Sequence, residues 1–184
     1  MACTQILKGI ALDCEASVGG IKEVYIARYE DVTSKPTVSS TIEVDGESVT
    51  LDGDMITAID GAGKFHKYSF RKQTGSMTST LNVDETAGIN YVSTELSLVF
   101  TKMETRKRVE IAAMALGQLV VIVKDGNNKF WYMGYDDYVS SASGSANTGT
   151  AKGDSNSYSI VLKDESDSYC YEVHPSIIDE LIAE

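Results

Sequence analysis

Residues 90–100, NYVSTELSLVF, put Val92, Thr94, Leu96, Leu98 and Phe100 at every second position, with Tyr91, Ser93, Glu95 and Ser97 between them. A period of two sends successive side chains to opposite faces, so this run predicts a half-buried strand of about ten residues, long enough to bend around a sandwich or barrel. The same reading extends upstream. Asp45-Gly46, Asp52-Gly53 and Asp60-Gly61 punctuate short apolar and polar alternations over residues 41–70. Asx-Gly pairs supply the positive φ angles of tight hairpins, which predicts a meander of short strands there. With 15 Gly, 10 Tyr and only 2 Pro, the composition leans towards strands and turns.

One stretch breaks the pattern. Thr101 and Glu104 have the S/T-x-x-E spacing of a capping box, Ile111 to Leu116 supply apolar positions, and Gly117 suits a left-handed helix end. This predicts a single helix over about residues 102–116. Leu119 to Val123 then form an unbroken apolar run, which suits a strand covered on both faces, with the helix as one cover. DGNN (125–128) turns the chain into KFWYMGYDD (129–137), where alternation sends Phe130 and Tyr132 to one side and Trp131 and Met133 to the other.

The remaining segments set the domain plan. Residues 1–20 read as an N-terminal arm ending in ASVGG, and 21–32 (IKEVYIARYEDV) as a strand. Residues 140–157, SSASGSANTGTAKGDSNS, read as a polar loop too long for an inert turn. YSIVL (158–162) reads as a strand, and 174–184, with Pro175 near its start, as a C-terminal helix or arm. The plan is one mainly β domain over 21–173, between extended arms at both termini. At 184 residues it can bury roughly 70% of its unfolded surface.

Charge and residue types narrow the chemistry. A net charge of −11 opposes binding to nucleic acid through phosphates, since the only basic cluster is Arg106, Lys107 and Arg108 on the predicted helix. No apolar run approaches the ~20 residues of a membrane span, and the N-terminal residues do not read as a signal peptide. Cys3, Cys14 and Cys170 form no C-x-x-C pair, so neither a zinc site nor a disulfide framework is indicated. His66 and His174 lie 108 positions apart without a nucleophile motif beside them. The Asp-Gly neighbourhoods lack the twelve-residue calcium-loop spacing, and no phosphate-loop pattern is present. These readings predict no catalytic residues, no metal and no cofactor.

The order of parts, carried by residues 69–103, 117–134 and 149–173, resembles the tail tube (major tail) proteins of long-tailed bacteriophages and the related Hcp-like tube proteins of type VI secretion. The resemblance implies a β-sandwich or half-barrel subunit with one flanking helix. Six copies would form a ring, and stacked rings a hollow tube that delivers phage DNA, with the helix on the outer wall. The partners it implies are further copies of this chain, other phage tail proteins, and DNA that passes without specific binding. It also implies no membrane partner and a location in the virion tail, assembled in the host cytoplasm.

Under that reading Ser93, Glu95 and Ser97, joined by Thr78, Thr80 and Asn82, are candidates to face the channel, a surface expected to carry no Lys or Arg. Ser143, Gly144, Ser145, Ala146, Asn147, Thr148, Gly149 and Thr150 are candidates for contacts between rings. Two alternatives remain: a carbohydrate- or surface-binding β-sandwich module using FWYMGY as a stacking platform, and a head-to-tail connector or tail terminator that uses the same fold as one ring.

Overall fold

Residues 17–44, 47–71, 74–86 and 88–183 are described by a computed structural model. Among the described residues six strands precede the helix: β1 (Ile21–Arg28), β2 (Thr37–Val44), β3 (Glu47–Ala58), β4 (His66–Ser69), β5 (Gly75–Asp84) and β6 (Ile89–Thr101). After α1 (Thr105–Leu116) come β7 (Leu119–Asp125), β8 (Phe130–Met133), β9 (Ser140–Asn147), β10 (Ser157–Ser166) and β11 (Tyr171–Val173). A 3-10 turn (Pro175–Ile177) then leads into the short α2 (Ile178–Leu181). Among the described residues the strands make two sheets, ordered β2-β3-β11-β8-β7-β1-β4 and β5-β6-β10-β9. The chain is a mainly β, two-sheet sandwich with one flanking helix.

The apolar spacing decides which faces meet. From the larger sheet Val24, Ile26, Val121 and Val123 pack against Leu96, Leu98, Ile160 and Leu162 of the smaller one. Each such side chain contributes about 1.5–3 kcal/mol when fully buried. β6 keeps its predicted alternation, with Val92, Thr94, Leu96 and Leu98 buried and Glu95 exposed.

A second core lies on the other face of the larger sheet. There Tyr25, Val120, Ile122 and Tyr132 are covered by Phe65, Ile178 and Leu181. Both faces of β7 are therefore buried, as its apolar run requires. α1 contributes to one of these covers, since its two inward residues, Ile111 and Met114, join the core between the sheets that holds Leu119, Val121 and Val123. The second cover is the C-terminal segment.

That segment is not an extended arm. The Phe65 N–H donates to the Leu181 carbonyl at 2.9 Å, and the Ala183 N–H donates to the Phe65 carbonyl at 2.8 Å. Backbone pairing and the burial of Ile178 and Leu181 hold it on the sheet. The predicted N-terminal arm falls mostly outside the described residues. Within them, the Val18 N–H donates to Asn127 Oδ1 at 2.8 Å and the Gly126 N–H to the Gly20 carbonyl at 2.8 Å.

The predicted meander is also corrected. β2 and β3 form one long hairpin whose register runs to Val44 opposite Glu47, and the Asp45-Gly46 turn lies outside the described residues. Asp52-Gly53 makes no turn. It sits inside β3, where the register jumps between Ser39/Met55 and Thr41/Thr50, and Gly53 with φ 151° takes up the irregularity. After the loop that holds Asp60-Gly61, β4 crosses to the opposite edge of the sheet and pairs with β1. An Asx-Gly pair permits a reversal without dictating one, and it does not choose the neighbour that a strand finally adopts.

Candidate functional surface

The exposed face of the four-stranded sheet is built by register. Antiparallel partners point to the same side, so the pairs Thr78/Glu95, Thr80/Ser93 and Asn82/Tyr91 place β5 and β6 side chains together. Thr78, Thr80, Asn82, Ser93, Glu95 and Ser97 accordingly share one face, opposite the buried Thr94, Leu96 and Leu98.

The next strand corrects one expectation. Lys163 is the register partner of Glu95, and Glu165 that of Ser93, so the face does carry a lysine. Its Nζ lies 2.6 Å from Glu165 Oε1, and that hydrogen bond, reinforced by the charges of Glu165, Tyr91 and Glu95, raises its pKa. The lysine was missed because β10 was read as ending near Leu162, before its polar continuation. Beyond it, Ser145 and Ser159 hydroxyls pair at 2.7 Å across β9 and β10.

The stretch 140–157 is not a loop. Ser140–Asn147 is β9, the edge strand bonded to β10, so Ser143, Gly144, Ser145, Ala146 and Asn147 stand in a ladder. Thr148, Gly149 and Thr150 belong to the turn that follows. There Asp154 Oδ2 accepts from the Thr150 N–H at 2.8 Å, the Thr150 hydroxyl at 2.9 Å and the Ala151 N–H at 2.7 Å. Hydrogen bonding to the backbone N–H groups of Ala151 and Thr150 holds this carboxyl below its ordinary range. The segment is ordered within the chain, without needing a second surface to order it.

The helix caps differ from the predicted box. Thr101 is the last residue of β6, opposite Ser157, and Glu104 itself is the N-cap, with no side-chain cap bond. The Lys102 N–H donates to the Asn156 carbonyl at 2.7 Å and the Met103 N–H to Asn156 Oδ1 at 2.8 Å, which extends the sheet and delays the helix. Lys102, with φ 67°, makes the corner, and its ammonium pairs with Glu104 at 2.5 Å. Gly117 ends the helix at φ −87°, not left-handed, while its N–H donates to the Ala113 carbonyl at 3.0 Å.

Other singled-out residues have structural roles. FWYMGY is buried on both sides, with Phe130, Tyr132 and Met133 inside and Trp131 Nε1 donating to Asp125 Oδ2 at 3.1 Å. His174 Nδ1 accepts from the Ser176 N–H at 3.3 Å and caps the turn at Pro175; His66 is exposed on β4. Burial pushes the Cys170 thiol up to about 11. Among the described residues no cluster of three His, Cys, Asp or Glu is placed to hold a metal, and no helix is long and apolar enough to cross a membrane.

Asp164 carried no signal in the sequence reading. It is 2% exposed, with Oδ2 accepting from the Gly134 N–H at 3.1 Å and Oδ1 without a partner. Burial raises its pKa, against the Gly134 bond and with the help of the charge on Asp136. The surface thus defines a class only: a two-sheet β protein with a broad, hydroxyl-rich exposed sheet. No family model, curated protein or solved structure matches the chain.

Proposed function

We propose that the protein is a tail tube subunit, forming stacked rings whose channel conducts phage DNA. The observation that carries this reading is the four-stranded sheet itself. Among the described residues, both its edge strands, β5 and β9, pair on one side only. An unpaired edge is a template for another strand. If β5 of one copy meets β9 of the next, a ring of six closes a barrel of ~24 strands. At ~4.8 Å spacing and ~40° tilt its backbone diameter is ~48 Å, wide enough for a duplex after side chains are added.

The exposed face suits such a channel. Short hydroxyls and carboxylates offer phosphates few places to bind, and Lys163 sits between Glu95 and Glu165, where its charge is offset. With a net charge of −11 the subunit as a whole repels DNA. In this reading the partners are copies of the chain and other tail proteins, and the place is the virion.

Electron microscopy of the purified protein tests the proposal. Tubes or stacked rings support it, single closed rings favour a connector or terminator, and a persistent monomer sinks both. A carbohydrate-binding module would need an exposed aromatic platform; with Phe130 and Tyr132 buried, no observation favours it.

A further inference from the structure

The two open edges of the four-stranded sheet have a fixed polarity and a fixed hydrogen-bond phase. All three pairings in the order β5-β6-β10-β9 are antiparallel, so β5 and β9 run in opposite directions. The Val99 N–H donates to the Thr74 carbonyl at 3.0 Å, one step before Gly75 meets Leu98. Hydrogen-bonded pairs alternate along an antiparallel ladder, so Ser76, Thr78 and Thr80 bond to β6, while Met77 and Ser79 turn their N–H and C=O groups to the open edge. At the other side the Lys102 N–H donates to the Asn156 carbonyl at 2.7 Å, which commits Tyr158 and Ile160 to β6 and leaves Ser159 and Val161 for β9. Their partners are Ser145 and Ser143, so Gly144 and Ala146 face outwards. Neither β5 nor β9 holds a Lys or a Pro, two residues that natural edges use against pairing.

We propose that β5 of one copy pairs antiparallel with β9 of the next in the register that sets Ser79 opposite Gly144 and Met77 opposite Ala146. The proposal deepens, and rests on, the tube reading. Symmetry and strand tilt select the register. Gly75, Leu98, Ile160 and Gly144 form one row across the sheet. Every copy in a ring stands at the same height, so the residue opposite Gly144 sets the stagger per copy, and Ser79 lies four residues beyond Gly75. Four residues at ~3.3 Å across four strands at ~4.8 Å give a tilt of ~35°. A step of two gives ~19°, well below the ~35–45° of closed barrels, and a step of six gives ~46°, just above it. Odd steps would turn one strand's side chains to the wrong face. Steps in the opposite sense place Gly144 beyond the start of β5.

The four-residue step also keeps all eight residues of β9 beside β5, whereas a step of six carries Ser140 past Asp84. β9 has its bulge at Ala142, so the regular part of the seam runs from Ser143 to Asn147. The tilt depends on the step and the width of one copy, and is therefore the same for any number of copies in the ring. On the exposed face the register sets Thr78 opposite Ser145 and Thr80 opposite Ser143, in non-hydrogen-bonded pairs where side chains approach most closely. The Ser145–Ser159 hydroxyl pair then continues across the seam to Thr78 of the next copy.

Ser76, Thr78, Thr80 and Ser145 are all exposed, so cysteine at each should leave Tm unchanged by circular dichroism. Ser145→Cys combined in turn with Ser76→Cys, Thr78→Cys or Thr80→Cys tests steps of two, four and six, and Ser145→Cys alone measures the background from the native cysteines. Cα atoms of non-hydrogen-bonded partners lie ~4.5 Å apart, within the range a disulfide spans. Oxidised assemblies of the Thr78→Cys, Ser145→Cys variant should run on non-reducing denaturing gels as a ladder ending in one closed ring. The other two pairs should stay at background. Tubes linked best through position 76 or 80, or through none of the three, would overturn the register and leave the tube reading intact. Links between positions 78 and 145 in open ribbons without a channel would support the pairing and end the tube reading. A wild-type protein that sediments as a monomer at every concentration would end both.

Discussion

Thr94 and Asp164 stand opposite each other in the β6–β10 ladder, both buried, in the layer between the two sheets. Ser79 extends this polar row through a 2.8 Å bond to the Thr94 hydroxyl, and the Cys170 thiol reaches the same hydroxyl at 3.7 Å. Asp164 keeps one oxygen unpaired within it.

This arrangement sets a pH dependence. Because burial raises the folded-state pKa of Asp164 above its ordinary value of 3.8, the folded state binds the proton more tightly than the unfolded state. Its contribution is fully present below pH 3.8 and declines as pH rises through the folded value. Asp164→Asn should remove that decline while keeping an acceptor for the Gly134 N–H. Thermal melts should show the variant gaining on the wild type between pH 4 and pH 7; a constant difference across that range would refute the assignment.

α1 should depend on one side chain more than on its length. Met114→Ala should cost about 2–5 kcal/mol, lowering Tm by roughly 5–15 °C, whereas Leu116→Ala should stay within about 0.5 kcal/mol because that residue is exposed. Chemical denaturation of the two variants side by side decides it, and equal losses would contradict the packing described.

The turn over 148–156 should loosen in acid. Asp154 has a lowered pKa, so its three hydrogen bonds are present above pH 3.8 and lost as pH falls through the folded value below that. Asp154→Ala should abolish the protection of the Thr150 and Ala151 amides from hydrogen exchange at neutral pH. Unchanged protection would mean that another group orders the turn.

Glu95→Lys tests the channel. The exposed site should accept the change with Tm unaltered in the isolated subunit, yet in a ring it adds about six positive charges beside Lys163, each able to hold a phosphate. Particles carrying it should eject DNA slowly or stall. Wild-type kinetics, together with a reconstruction that places residue 95 outside the channel, would remove this face from the lumen.

What the sequence disclosed was local periodicity. The alternation through Val92, Leu96 and Leu98 and the apolar run Leu119–Val123 identify their strands because burial acts directly on those residues. Neighbour choice was hidden: Ile56 meets Val173, and Tyr25 meets both Lys67 and Ile122, pairings fixed by segments far along the chain. β9 was hidden by composition, since SSASGSAN resembles a linker. Its alternation of Ser141, Ser143 and Ser145 with Ala142, Gly144 and Ala146 was the available signal. The helix start failed because Thr101 had a competing use, in the β10 ladder. On the exposed face, alternation located the β5 and β6 residues correctly but gave no view of Lys163 arriving from the next strand.

The C-terminal cover has a consequence for biosynthesis. Tyr25 belongs to the core that Ile178 and Leu181 complete, so that core cannot close until the chain has grown past residue 178. At ~5–20 residues per second, synthesis from Tyr25 to Ile178 takes roughly 8–30 s. Throughout that interval one apolar face of the growing sheet meets water, and the nascent chain is most exposed to mispairing before its final helix arrives.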